Sequence, residues 1–171
     1  MPRVHDLVRT VDGTWGVVRR ERVPRGVPIG LRGATRAERY ASVIAANAVA
    51  CVVTPEQAAR RCPPRTHRVF TALAQARAAA LPLGFSLGVG GACGYELVTG
   101  DPVVHAKSDL DLIVRAAFDD ARLAPLAAAL RDTHVRIDVE VLRDDGCGAA
   151  LEEIVRGGTF LVKTPDGPRV Q

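Results

Sequence analysis

Ser108-Asp109-Leu110-Asp111-Leu112-Ile113-Val114 is the stretch on which the fold turns. Strand alternation puts Asp109 and Asp111 on one face and Leu110, Leu112 and Val114 on the other. Two carboxylates side by side repel each other, a cost that a cation bound between them offsets. Oxygen ligands of this kind suit a hard ion, Mg²⁺, which is held through one or two carboxylates and completed by the phosphates of a substrate. Downstream, Arg136–Leu142 alternates in the same way, with Asp138 and Glu140 on one face and Ile137, Val139 and Val141 on the other. As a neighbouring strand it would let Asp138 complete a three-carboxylate set, while Glu140, farther along, reads as a solvated acid or one standing behind the ligands. Upstream, Gly88-Val89-Gly90-Gly91-Ala92 falls between a strand and a helix, where backbone N–H groups and the helix N-terminus hold phosphate.

Outward from this centre the pattern alternates helix and strand. Val69, Phe70, Leu73 and Ala74 recur at helical spacing up to Leu81-Pro82, Phe85–Val89 reads as a strand, and Ala92–Val98 as a short helix ended by Thr99-Gly100-Asp101-Pro102. Leu123, Leu126, Ala127 and Leu130 share a helical face behind Asp119 and Asp120, which read as helix-start charges. Thr159–Lys163 is a last short strand. The expected class is α/β (α+β), a mixed sheet with flanking helices. Ahead of it, Trp15–Val18, Val27–Leu31 and the β-branched run Val49–Val53 predict a small β-containing module. Thr35-Arg36-Ala37-Glu38 is a capping-box pattern that predicts a helix over Arg39–Ala46, and Thr54-Pro55-Glu56 opens another. Cys62-Pro63-Pro64-Arg65 is the expected linker, giving a basic module at 1–64 and a catalytic domain at 65–171.

Composition bounds what such a chain can be. At 171 residues and 47% hydrophobic it can bury a core without disulfides or structural metal, and with 4% aromatics that core is aliphatic. The longest apolar run, Val43–Val53, is too short for a membrane span and is interrupted by Asn47. Charges occupy the first ten residues where a signal peptide would be apolar, so a cytoplasmic location is expected. Cys51, Cys62, Cys93 and Cys147 lack any C-x-x-C pairing and read as buried free thiols. His5, His67, His105 and His134 show no metal-ligand spacing and read as surface or packing residues. Residues 1–68 hold 13 Arg against 5 acids, whereas residues 69–171 hold 10 cations against 14 acids. A basic front joined to an acidic back points to an anionic partner for the first.

The order strand, Gly-Gly-Ala, short helix, S-D-L-D-L strand, helix, D-x-E strand resembles the nucleotidyltransferase fold of DNA polymerase beta-type enzymes. The 16 residues between Ala92 and Asp109 exceed the usual spacing. Gly91-Ala92-Cys93-Gly94-Tyr95-Glu96-Leu97-Val98-Thr99-Gly100, Val103-Val104-His105 and Ser108–Leu112 together are similar to malonate decarboxylase holo-acyl-carrier-protein synthase, the phosphoribosyl-dephospho-CoA transferase family. His5-Asp6-Leu7, Val27–Gly33 with Arg36 and Arg39, Val53–Glu56 and Thr164–Arg169 extend the likeness along nearly the whole chain. Ala92 stands where the family pattern has Ser.

The resemblance implies transfer of phosphoribosyl-dephospho-CoA from its triphosphoribosyl precursor to a serine of the malonate decarboxylase acyl carrier protein, with release of pyrophosphate. Asp109 and Asp111 would hold Mg²⁺, and Asp138 would ligate one ion and accept or orient the serine proton. Gly90, Gly91, Ala92 and Ser108 would lie along the triphosphate. Arg32, Arg36 and Arg39 are the expected contacts to phosphate or to an acidic carrier protein; no nucleic acid or membrane is expected as a partner. Two rivals use the same residues: a nucleotide- or partner-binding module without turnover, and a dinucleotide-binding enzyme built on Gly88-x-Gly90 with Asp109 about 20 residues on. Three retained carboxylates argue against the first. A short helix broken by Gly100 argues against the second.

Overall fold

The computed structural model describes residues 1–33 and 38–171. It contains two sheets and five helices. The first sheet is built from β1 (Leu7–Thr10), β2 (Trp15–Val18), β3 (Val27–Arg32), β4 (Arg39–Ile44) and β5 (Val49–Val53), antiparallel throughout, in the order β4-β3-β2-β1-β5. Arg39–Ile44 is therefore a strand and not the helix its capping-box pattern predicts. It pairs with β3 residue by residue from Arg32↔Arg39 to Val27↔Ile44. The physical reason is tertiary: Ser42 and Ile44 turn a half-buried edge towards the small core of Val8, Val18, Val27 and Ile29, and Ala41 and Val43 alternate outward. Thr35, Arg36 and Ala37 of that pattern lie outside the described residues.

Thr54 caps α1 (Pro55–Ala59) with the reciprocal bonds of a capping box, Gln57 N to Thr54 Oγ1 at 3.2 Å and Thr54 N to Gln57 Oε1 at 2.9 Å. The stretch 60–67 follows, and α2 (Arg68–Ala80) buries Val69, Phe70, Leu73 and Ala76. The second sheet holds β6 (Gly88–Val89), β7 (Leu110–Arg115), β8 (Ile137–Leu142), β9 (Gly148–Ala150), β10 (Leu161–Thr164) and β11 (Gly167–Val170). Its order is β11-β10-β9-β8-β7-β6, with β7 and β8 parallel and the other pairs antiparallel. Three helices complete it: α3 (Gly91–Thr99), α4 (Leu123–Ala129), which crosses from β7 to the parallel β8, and α5 (Leu151–Arg156). The expected strand at 85–89 is shortened to two residues. Strands β1, β9 and β11 and helix α5 carry too few alternating apolar residues to show in the sequence.

Leu110, Leu112 and Val114 point down into the main core against α2, α3 and α4, each 1% exposed or less. Leu7, Val53, Ala58 and Ala59 belong to the same cluster, so one face of the first sheet joins this interior while Val8, Val18, Val27 and Ile29 keep a separate small core. The opposite, upper face of β7 and β8 carries Asp111, Asp138 and Glu140, with Ile113 and Leu142 buried between and beyond them. Among the described residues no helix is long and apolar enough to cross a membrane.

Candidate active site

A cleft of about 970 Å³ opens between the upper face of the second sheet and the first sheet. Parallel pairing sets Asp111 directly beside Asp138 and Ile113 beside Glu140. Asp109, one step before β7, completes an acidic end of the floor. Asp138 is half exposed, and its Oδ1 accepts from Arg136, the residue just ahead of β8, at 3.1 Å. Among the described residues no three His, Cys, Asp or Glu side chains converge into a ready-made metal cage. The floor instead offers oxygen donors only, spread along two strand ends. That donor set suits Mg²⁺, whose remaining positions are filled by water and by substrate phosphates.

The backbone at the start of α3 is pressed onto this floor. Gly90 N–H donates to Asp111 O at 2.9 Å, and Gly91 adopts φ +56° directly over the Asp111 carboxylate. A Cβ at Gly91 would overlap that carboxylate, so the glycine at this position is what lets helix and acid come together. Beneath them Cys93 is fully buried. Burial, with Glu96 and Asp111 nearby, pushes its thiol up to about 12, which removes it as a nucleophile. The other cysteines depart from the sequence expectation: Cys51 and Cys62 are exposed and Cys147 is intermediate.

The long connection from α3 to Asp109 is held by a pair that the sequence reading missed. Glu96, whose side chain is 0% exposed, accepts from Arg65 Nε at 2.7 Å and from Val104 N at 2.7 Å, while Arg65 also donates to Val104 O at 2.6 Å. Burial alone would raise the Glu96 carboxyl. The Arg65 bond and the Val104 N–H outweigh it and hold the group below the usual range. Both polar groups of the Val104 peptide are thereby fixed, and the loop continues into a turn in which Ser108 Oγ accepts from His105 N at 3.0 Å. Ser108 is buried but its surface lines the cleft. A lone acid inside the apolar run Ala92–Val98 was the available signal, because a charge there requires a partner.

Arginines form the roof. Arg32 and Arg39 face the cleft as register partners on β3 and β4, and the Arg32 guanidinium sits 5.6 Å from the Tyr95 ring centroid on α3. Arg36 lies outside the described residues. All other predicted site residues, Gly90, Gly91, Ala92, Ser108, Asp109, Asp111 and Asp138 with Arg32 and Arg39, line the one cleft.

Glu140 is not the solvated acid one alternative suggested, for its side chain is 14% exposed. It forms an ion pair with Arg20, and it lies 3.3 Å from His5 Nε2 and 3.2 Å from Lys163 Nζ. Burial opposes ionisation, yet the His5 hydrogen bond and the charges of His5, Arg20 and Lys163 outweigh it and hold the carboxyl at about 2. His5, read from sequence as a surface or packing residue, thus lines the cleft. It is also the described non-glycine residue with positive φ, at 72°.

A glycine-opened helix, carboxylate-bearing strands and arginines of the first sheet meet at this cleft. The arrangement is not a dinucleotide-binding unit, because β6 and β7 flank α3 as antiparallel strands where that motif requires parallel ones. Residues 51–171 match the family model described as phosphoribosyl-dephospho-CoA transferase MdcG C-terminal domain, and residues 2–55 match the corresponding N-terminal domain. The chain belongs to the phosphoribosyl-dephospho-CoA transferase MdcG family. Three proteins named phosphoribosyl-dephospho-CoA transferase illustrate the likeness. That of Pseudomonas syringae pv. tomato is 39% identical over 160 residues, 90% of this chain and 75% of its own length. Those of Klebsiella pneumoniae strain 342 and Pseudomonas aeruginosa are 35% and 36% identical, over 84% and 90% of this chain and 72% and 76% of theirs. No solved structure matches.

Proposed function

We propose that the chain transfers phosphoribosyl-dephospho-CoA from 2′-(5″-triphosphoribosyl)-3′-dephospho-CoA to a serine hydroxyl of the malonate decarboxylase acyl carrier protein, releasing pyrophosphate. The observation that carries this reading is the cleft itself, where acids 109, 111 and 138 face the arginines of the first sheet across a space large enough for a CoA-sized ligand. In the reaction a bond forms between the serine oxygen and the α-phosphorus, the α–β phosphoanhydride breaks, and the electron pair leaves with pyrophosphate. The product is a phosphodiester.

Asp109 and Asp111 would hold Mg²⁺, with Asp138 beside them. The ion would neutralise charge on the triphosphate oxygens as it develops. Asp138, half exposed, is placed to orient the incoming hydroxyl and take its proton. Gly90 and Gly91 let the triphosphate approach the backbone, and Ala92 contributes no hydroxyl there. Arg32 and Arg39 bind anionic groups of the substrate or of the carrier protein from above. A front segment rich in arginine suits an acidic protein partner.

Reconstitution tests the reading. Pyrophosphate should appear only when Mg²⁺, the triphosphoribosyl substrate and apo carrier protein are all present, with one phosphodiester formed per pyrophosphate. Tight substrate binding without turnover under those conditions would identify a binding module instead.

A further inference from the structure

At the end of the cleft away from Asp109, basic side chains meet the floor. Glu140 lies two residues beyond Asp138 on the same face of β8, roughly 7 Å along the strand. Three basic side chains from three distant parts of the chain meet it: His5 ahead of β1, Arg20 after β2, and Lys163 on β10. Glu140 meets two permanent cations here, Arg20 and Lys163, and Glu152 also lines the cleft. The arrangement is built into the backbone. Gly148, the register partner of Lys163, has no room for a Cβ, which would overlap both Glu140 Oε1 and the Arg20 guanidinium. Arg20 is fixed further by donating through Nε to Gly146 O at 2.8 Å. Lys163 differs from it: half exposed, its ammonium holds Glu140 Oε2 at 3.2 Å and has two further N–H groups to offer.

We propose that Lys163 and Arg20, aligned by Glu140, form a diphosphate-binding subsite at this end of the cleft. The inference rests on the transferase reading, whose substrate carries two groups of this chemistry: the diphosphate of its dephospho-CoA part and the one that leaves as pyrophosphate. A half-exposed ammonium with two N–H groups to offer, beside a guanidinium held by Glu140 and Gly146, suits a ligand that must be gripped and then released. Glu140 acts here as a positioning residue. It stays ionised and keeps both cations aimed at the cleft.

The test uses the full chain and measures equilibrium binding of dephospho-CoA and of inorganic pyrophosphate separately. Wild type is compared with Lys163→Met and Lys163→Arg. Lys163→Met should weaken one of the two ligands about tenfold, the loss expected for one charge-assisted hydrogen bond. Lys163→Arg should restore it to within about threefold, and both variants should melt as wild type does. The ligand affected names the source: dephospho-CoA marks the retained diphosphate, pyrophosphate the leaving one. If wild type binds both ligands and Lys163→Met binds both equally well, the subsite is wrong and the transferase reading stands. If wild type binds neither, the two fail together.

Discussion

Asp138 and Glu140 stand on the same face of the same strand, one pleat apart, and their surroundings differ in kind. Asp138 is half exposed, and its contact is a solvent-facing pair with Arg136. Glu140 is closed in by residues of both sheets and held ionised. On the proposed function, a ligand and its counter-ion would complete the acidic end. At the other end the carboxylate is already paired by the protein, with Lys163 half exposed beside it. The two sites should therefore answer mutation differently, one through turnover and the other through stability.

The largest effects belong to the open end. Asp109→Asn should lower the transfer rate at least ~100-fold in a pyrophosphate-release assay, because it removes a ligand charge for the ion on the triphosphate. Gly91→Ala should do comparable damage: its Cβ would overlap the Asp111 carboxylate at a positive φ. Near-normal rates for either would detach the α3–β7 contact from the chemistry.

Glu140→Gln comes next and acts on stability. The group titrates near 4.5 in an unfolded chain and at about 2 in the fold. Its contribution is present in full above pH 4.5 and is lost as pH falls through about 2. From that shift it amounts to something on the order of 3 kcal/mol. The difference in unfolding free energy between wild type and Glu140→Gln should accordingly shrink as the pH is lowered from about 5 towards 2. A gap independent of pH over that range would mean the charge on Glu140 does not hold the sheets together.

Asp138→Asn should reduce kcat more than it weakens substrate binding, since Asp138 serves the acceptor side. Equal loss of affinity in Asp138→Asn and Asp109→Asn would make Asp138 an ordinary ligand of the substrate's ion. The smallest effect is expected from replacing Arg32, Arg36 and Arg39 together by Gln. Apparent KM for carrier protein or substrate should rise and its dependence on salt should flatten, because such charges are screened over roughly 10 Å at 0.1 M salt. Unchanged kinetics at low and high salt would leave the arginines with no part in docking.

The open end was legible in the sequence because each segment that makes it carries its own pattern. Alternation in Ser108–Val114 and Arg136–Leu142 carries both the strands and the side on which the acids stand, and Gly90-Gly91 marks the approach of α3. The closed end was not. The partners of Glu140 lie 135, 120 and 23 residues away, at His5, Arg20 and Lys163, and no local pattern links them. The same blindness to distant partners explains Arg39–Ile44. Its capping-box approach, Arg39 and Ala41 allow a helix, and pairing with β3 decides for a strand. Glu96 lay between these cases: the sequence exposed its anomaly but not Arg65 and Val104, which resolve it.

The most direct test compares pyrophosphate release by Asp111→Asn and Glu140→Gln at a temperature low enough to keep both folded, with melting temperatures taken on the same preparations. The account predicts opposite signatures. Asp111→Asn should lose at least ~100-fold in turnover and should melt well above Glu140→Gln, because its larger effect is expected on the chemistry. Glu140→Gln should melt well below wild type and keep turnover within about tenfold. Near-normal turnover in Asp111→Asn, or an equal loss in both variants, would contradict the division of the cleft into a catalytic end and a clasped one.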